Sequence, residues 1–134
     1  MTPWFADTYY FLALRNPKDL AHGPAVKLTR KHPRRKLITT AWVLTEVADA
    51  LASPENRSGF SDLLSRLQSN RNAQVIGCTQ DLFDEGVTLY RNRPDKAWSL
   101  TDCISFVAMQ KEELTDALTG DHHFEQAGFK ALLK

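Results

Sequence analysis

No stretch of this sequence is long and apolar enough to cross a bilayer. The longest apolar run, Trp4 to Leu14, is broken by Asp7 and falls short of the roughly 20 residues a spanning helix needs. No basic segment precedes it and no small-residue cleavage site follows, so no secretory signal is expected. Cysteine is scarce. Cys78 and Cys103 stand apart in apolar surroundings without C-x-x-C spacing, which predicts reduced core residues of a cytoplasmic protein. The glycine-rich phosphate loops G-x-x-x-x-G-K-S/T and G-x-G-x-x-G are absent, which removes the common nucleotide-binding folds. H-E-x-x-H is missing too, and four scattered histidines do not make a zinc site. Nor is there an excess of charge of one sign, the net value being +1.

What is present describes one ordinary domain spanning residues 1–134. Hydrophobic residues make up 43% and charged residues 25%, a globular balance without linker, repeat or low-complexity segment. Positive charge is concentrated between Arg30 and Lys36, with a looser group at Arg91, Arg93 and Lys96. Either cluster suits a phosphate backbone, and either is equally explained as a solvated helix end.

Strand and helix patterns alternate. Trp4-Phe5-Ala6 predicts a short strand ending at Asp7, followed by a helix over Thr8–Leu14. A second helix is expected over Asp19–Lys31, shortened or split by Gly23-Pro24 and ended by Pro33. Leu37–Thr39 predicts a strand and Ala41–Ala52 a helix. Phe60, Leu63, Leu64 and Leu67 recur at helical spacing. Ala73–Cys78 predicts a buried strand, followed by helices over Gln80–Tyr90 and Ser99–Glu113. Asp116–Thr119 predicts a very short strand, Asp121 opens a helical turn closed by Gly128, and Phe129–Leu133 adds an edge strand. Such alternation argues for an α/β fold, a central parallel sheet flanked by helices.

In open parallel sheets, reactive groups gather at the carboxyl ends of the strands. Asp7 and Asp121 end strands, Glu46 lies two turns into a helix that follows one, and Asp102 is in the first turn of its helix. Four carboxylates converging there would repel unless a cation or protonation neutralised them, and an all-oxygen set describes Mg²⁺ or Mn²⁺. Each acid also has a structural reading. Asp121 is a good N-cap, Ser99-Leu100-Thr101-Asp102 matches a capping box, and Glu46 with Asp49 and Ser53 fits an exposed polar stripe. For Asp7, burial after an apolar strand is expensive without a partner.

Four segments carry a resemblance. Phe-Ala-Asp-Thr-Tyr-Tyr-Phe-Leu-Ala-Leu at Phe5–Leu14 resembles the first motif of PIN domains, and Thr39–Val47 around Glu46 resembles the second. Trp98–Phe106 around Asp102 and Ala117–Phe129 around Asp121 are similar to the third and last. Order and spacing match the small bacterial VapC-like group over nearly the whole chain. That resemblance implies a single PIN domain with a central parallel sheet and an acidic pocket of Asp7, Glu46, Asp102 and Asp121 holding Mg²⁺ or Mn²⁺. It further implies endonucleolytic hydrolysis of RNA, membership of a type II toxin–antitoxin pair, homodimerisation, and neutralisation by a small antitoxin. Gly120, before Asp121, departs from the pattern and loosens the backbone there. The alternative is a catalytically silent module that binds RNA or a protein through the same fold.

Around the acids, Thr8 and Thr101 are candidates to hydrogen-bond a ligand carboxylate or a phosphate oxygen, or to cap helices, and Ser99 reads as a cap. His123 is expected to be packed or hydrogen-bonded, because adjacent His122 and His123 do not share a helix face. Asp116 starts its strand and lies toward the wrong end. An aspartate-nucleophile phosphatase would need a second Asp at position 9, which is Tyr9. A phosphoacceptor receiver domain would need an acidic pair near Asp7, which stands alone.

Overall fold

The computed structural model describes residues 1–134. Five strands, β1 (Trp4–Ala6), β2 (Leu37–Thr40), β3 (Ala73–Ile76), β4 (Asp116–Leu118) and β5 (Lys130–Ala131), form one sheet in the order β3-β2-β1-β4-β5. Every pairing is parallel. Seven helices connect and cover the strands: α1 (Thr8–Arg15), α2 (His22–Lys31), α3 (Ala41–Ala50), α4 (Arg57–Ser69), α5 (Gln80–Asn92), α6 (Leu100–Lys111) and α7 (His122–Gln126). A single 3-10 turn, Pro54–Asn56, precedes α4.

The central strand is β1. Its three residues are all buried, as expected of a strand covered by helices on both faces. Phe5 packs 6.3 Å from Phe124 of α7, and Phe124 meets Phe106 of α6 edge-on at 4.9 Å. Trp98, just before α6, stands edge-on to Phe106 at 5.0 Å. This aromatic stack ties β1, α6 and α7 together beneath the carboxyl edge of the sheet. Because the strands are parallel, the residues leaving β1, β2 and β4 all emerge at that edge.

Several elements differ from the sequence expectation. Helix α2 begins at His22 rather than Asp19. Asn16 Oδ1 accepts the Lys18 N–H and Asp19 Oδ1 accepts the Ala21 N–H, so two side chains hold the preceding residues in turns. Pro24 then falls at the third helical position, where a missing N–H costs nothing. Strand β3 stops at Ile76 and lies at the sheet edge, with Gln74 and Val75 exposed. Cys78 is exposed beyond it, not in the core, whereas Cys103 is fully buried. Helix α3 ends at Ala50, and α5 runs on to Asn92. Helix α6 ends at Lys111, two residues before Glu113 turns into the left-handed region at φ 57°.

Helices α5 and α6 run antiparallel. Lys111 Nζ reaches Glu85 Oε2 at 2.7 Å, and Gly86 faces Ile104 at the crossing. A Cβ at Gly86 would stand 2.4 Å from Ile104 Cγ1 and 3.3 Å from its Cα. Ile104 is 1% exposed and cannot swing aside. Gly86→Val is therefore expected to lower unfolding free energy by about 1–3 kcal/mol through overpacking. Denaturant unfolding checks this; unchanged stability would mean that the helices do not meet as described.

Candidate active site

Asp7 leaves β1 and occupies the N-cap position of α1, but makes no capping bond. Its Oδ2 instead accepts a 2.8 Å hydrogen bond from Thr119 Oγ1. Thr119, fully buried just beyond β4, also accepts the Asp121 N–H at 3.1 Å. One hydroxyl thus links the segments that follow β1 and β4. Glu46 rises from α3, whose first turn is capped by Thr40 at the end of β2. Its Oε1 accepts a 2.5 Å bond from Thr8 Oγ1. Asp102 closes a capping box with Ser99, its Oδ2 accepting the Ser99 N–H at 3.1 Å. Asp121 caps α7, its Oδ1 accepting the His123 N–H at 2.9 Å. The capping roles read from sequence for Asp102 and Asp121 are therefore present, and they aim the two carboxylates as well as starting the helices.

The four acids act on one another. Asp7 is 6% exposed, and burial raises its pKa from 3.8 to about 7, opposed by the Thr119 bond and reinforced by repulsion from Asp102 and Glu46. Burial also raises the Asp102 pKa; Asp121 and Glu46 push it further up, while the Ser99 N–H and His123 pull it down. Each acid engages one oxygen in an orienting hydrogen bond, leaving the second oxygen of Glu46, Asp102 and Asp121 without one. No lysine or arginine forms an ion pair with any of the four. Carboxylate oxygens gathered without a lysine or arginine to neutralise them suit a hard divalent cation.

Three residues near the cluster were misjudged or missed by sequence reasoning. His122 and His123 do face together, their rings 4.4 Å apart, with Nδ1 atoms 3.7 and 3.3 Å from Asp121 Oδ1. They occupy the first turn of a five-residue helix, where a helical-face argument does not apply. His123 Nδ1 also lies 3.4 Å from Asp102 Oδ2, bridging two of the acids without a well-directed hydrogen bond to either. Asp121, His122 and His123 offer ligand atoms all within 4.8 Å of one another, so imidazole nitrogen stands at the rim of the oxygen set. Thr119 was not singled out from sequence. A hydroxyl ending an otherwise apolar strand beside Asp121 was the available signal.

Other expectations resolve by position. Thr8 takes the carboxylate-bonding role; Thr101 makes no such bond. Asp116 begins β4, at the opposite edge from the acids. Gly120 leaves room for Tyr9, whose ring would stand 2.5 Å from an added Cβ. Its absent side chain is a matter of space rather than of backbone freedom. The Arg30–Lys36 cluster ends α2 and precedes β2, at the amino edge of the sheet. There Arg35 lies over the Trp4 ring at 4.3 Å and donates to the Thr2 carbonyl. That cluster is remote from the acids. Arg91, Arg93 and Lys96 instead lie beside the start of α6.

The raised Asp7 pKa fixes the sign of a pH dependence. A folded pKa above the unfolded one means that the native state binds the extra proton, so stability falls as pH rises from about 4 to about 7. In metal-free protein, the stability of Asp7→Asn relative to wild type should climb by about 1.4 kcal/mol per pH unit across that window, then level off. Urea unfolding at several pH values reads this directly. A difference that does not vary with pH would contradict the burial of a lone carboxylate here.

A scan against models of known protein families gives no match. Among curated proteins, the chain is similar to the 23S rRNA-specific endonuclease VapC20 of Mycobacterium tuberculosis, in the sequences of strains CDC 1551 / Oshkosh and H37Rv. It is 29% identical to each over 126 residues, which is 93% of this chain and 94% of the relative. Among solved structures, it matches crystalline VapC20 from M. tuberculosis, described as a sarcin–ricin loop cleaving toxin. That match has a TM-score of 0.82 and 26% identity, covering 93% of this chain and 95% of the other. The similarity runs along almost the full length of each chain and is consistent with the resemblance to VapC-like PIN domains carried by the four acidic motifs.

Proposed function

We propose that the chain is a metal-dependent endoribonuclease, the toxin of a type II toxin–antitoxin pair, with Asp7, Glu46, Asp102 and Asp121 as the ligands of Mg²⁺ or Mn²⁺. The observation that carries this reading is a buried aspartate, repelled by Asp102 and Glu46 and met by no lysine or arginine, in a fold shared with an rRNA-cleaving toxin. Asp7 and Asp102 would hold the ion directly, with Glu46 and Asp121 completing its surroundings. When bound, such an ion lowers the pKa of a water molecule and offsets charge developing on the scissile phosphate.

The protein's own contribution is placement. Thr119 orients Asp7 and carries the Asp121 backbone, Thr8 orients Glu46, and Ser99 orients Asp102. Donors of this kind fix a ligand's geometry before the substrate arrives. RNA is the substrate class, and the sarcin–ricin loop of 23S rRNA is the first target to test, since that is what the similar toxin cleaves. A small antitoxin would neutralise the activity. Val75 and Phe83, exposed on β3 and α5, offer apolar surface for a homodimer. No helix is long and apolar enough to cross a membrane, and we place the activity in the cytoplasm, where such RNA is found.

The test is cleavage of ribosomal RNA with Mg²⁺ or Mn²⁺ and after chelation. Asp7→Asn and Asp102→Asn should each lower cleavage at least about 100-fold, and Thr119→Val about 10–100-fold as an outer-shell partner. Excess Mn²⁺ should restore part of the Thr119→Val loss. Equal cleavage by all three variants and wild type would assign the activity to another site or to a contaminant.

A further inference from the structure

Outside the acidic cluster, the largest concavity of the molecule is an open pocket of about 940 Å³ at the hairpin formed by α5, residues 93–99 and the start of α6. Its floor is apolar, from Val87, Trp98 and Leu100, and its walls carry Tyr90, Arg91 and Lys96. No acidic side chain lines it. Asp95, in the same loop, is turned to Arg93, with two 3.0 Å bonds between carboxylate and guanidinium. That pairing neutralises Arg93 and leaves Arg91 and Lys96 without an ion-pair partner. Tyr90 is 53% exposed, an aromatic face open to solvent beside two unpaired cations.

The pocket adjoins the acids. Ser99 lines it and also forms the capping box with Asp102. Its floor is anchored to the other side of the site. Trp98 Nε1 donates to Gln126 Oε1 at 3.0 Å, on the helix that Asp121 caps, and the Trp98 ring stands against Phe106. A ligand resting here would be held by rigid elements at a fixed offset from Asp102 and Asp121.

We propose that this pocket receives single-stranded RNA flanking the scissile bond, with a base stacked on Tyr90 and phosphates met by Arg91 and Lys96. The inference rests on the ribonuclease reading and deepens it, by giving the substrate a second point of contact beyond the acids. An aromatic face in one pocket with cations is the combination that binds unstacked nucleotides without sequence preference. A cluster of carboxylates repels phosphate, so a strand crossing it needs compensating positive charge close by, and this pocket supplies it. An acidic peptide would use the cations but gain little from the exposed ring, which is why RNA is the occupant argued here.

Binding is measured separately from cleavage, in the Asp7→Asn background, by fluorescence anisotropy with a labelled single-stranded oligoribonucleotide of about eight nucleotides. Tyr90→Ala should weaken binding by about tenfold, while Tyr90→Phe keeps the affinity and controls for folding. Arg91→Gln and Lys96→Gln should each flatten the slope of log affinity against log salt by about 0.7, one phosphate apiece. Unchanged affinity for Tyr90→Ala together with unchanged salt slopes overturns the proposal. So does normal RNA binding by variants that no longer dimerise in light scattering, which would make the face an interface between copies. Normal RNA binding by variants that fail to bind an acidic peptide overturns it too. If the wild type cleaves no RNA yet the Tyr90 and salt effects appear, the pocket stands and the nuclease reading falls. Cleavage by the wild type with no such effects gives the reverse.

Discussion

A carboxylate buried at the end of the middle strand is the constraint around which this molecule is arranged. Trp4-Phe5-Ala6 must lie inside, because β1 has a strand on each side and helices over both faces. The chain leaves that strand at Asp7, so the first polar side chain is carried into the interior with it. Desolvation then holds its proton to near-neutral pH, and the nearby charges of Asp102 and Glu46 worsen the position of the anion. In isolation this is a defect costing stability. The proposed cation would offset that cost, turning each repulsive pair into a pair of ligands.

The surrounding structure keeps that arrangement from relaxing. The aromatic stack of Phe5, Phe124, Phe106 and Trp98 is assembled from the elements that carry Asp7, Asp121 and Asp102. Movement of one acid away from the others would have to open a close-packed core. On top of the core, each acid is met by a short hydrogen bond from its own neighbourhood. Thr119 stands out because a single hydroxyl donates to Asp7 and accepts from the Asp121 backbone, so two acids from distant parts of the sequence share one reference point. Pre-set geometry of this kind is what the proposed metal site would require.

Much of this was legible in the residues. Alternating strand and helix patterns gave the parallel sheet, and each of the five strands falls within a segment expected to be one; for the inner strands β1 and β2 the signal was the apolar run that burial requires. The four acids could be placed at one edge from their positions at strand ends and helix starts. Edge status was legible for β5, expected as an edge strand over Phe129–Leu133, but not for β3. Val75 and Ile76 read as a buried strand, and Cys78 as core, since an apolar run looks alike at the middle and at the margin of a sheet. The start of α2 was hidden for a different reason: Asn16 and Asp19 bond to nearby backbone and delay the helix, a competition that periodicity does not register. His122 and His123 were separated by a rule for regular helices and brought together by a single irregular turn. Of the two basic clusters, the denser one at Arg30–Lys36 faces away from the acids, and only the topology distinguishes it from the group at Arg91–Lys96.

The account stands or falls on whether the four acids share a doubly charged ion. A crystal of the protein soaked in Mn²⁺ and measured at the manganese absorption edge answers that most directly. An anomalous peak among the carboxylates of Asp7, Glu46, Asp102 and Asp121 is the predicted result. A map without density there, from crystals whose protein still cleaves RNA when Mn²⁺ is supplied, would contradict it.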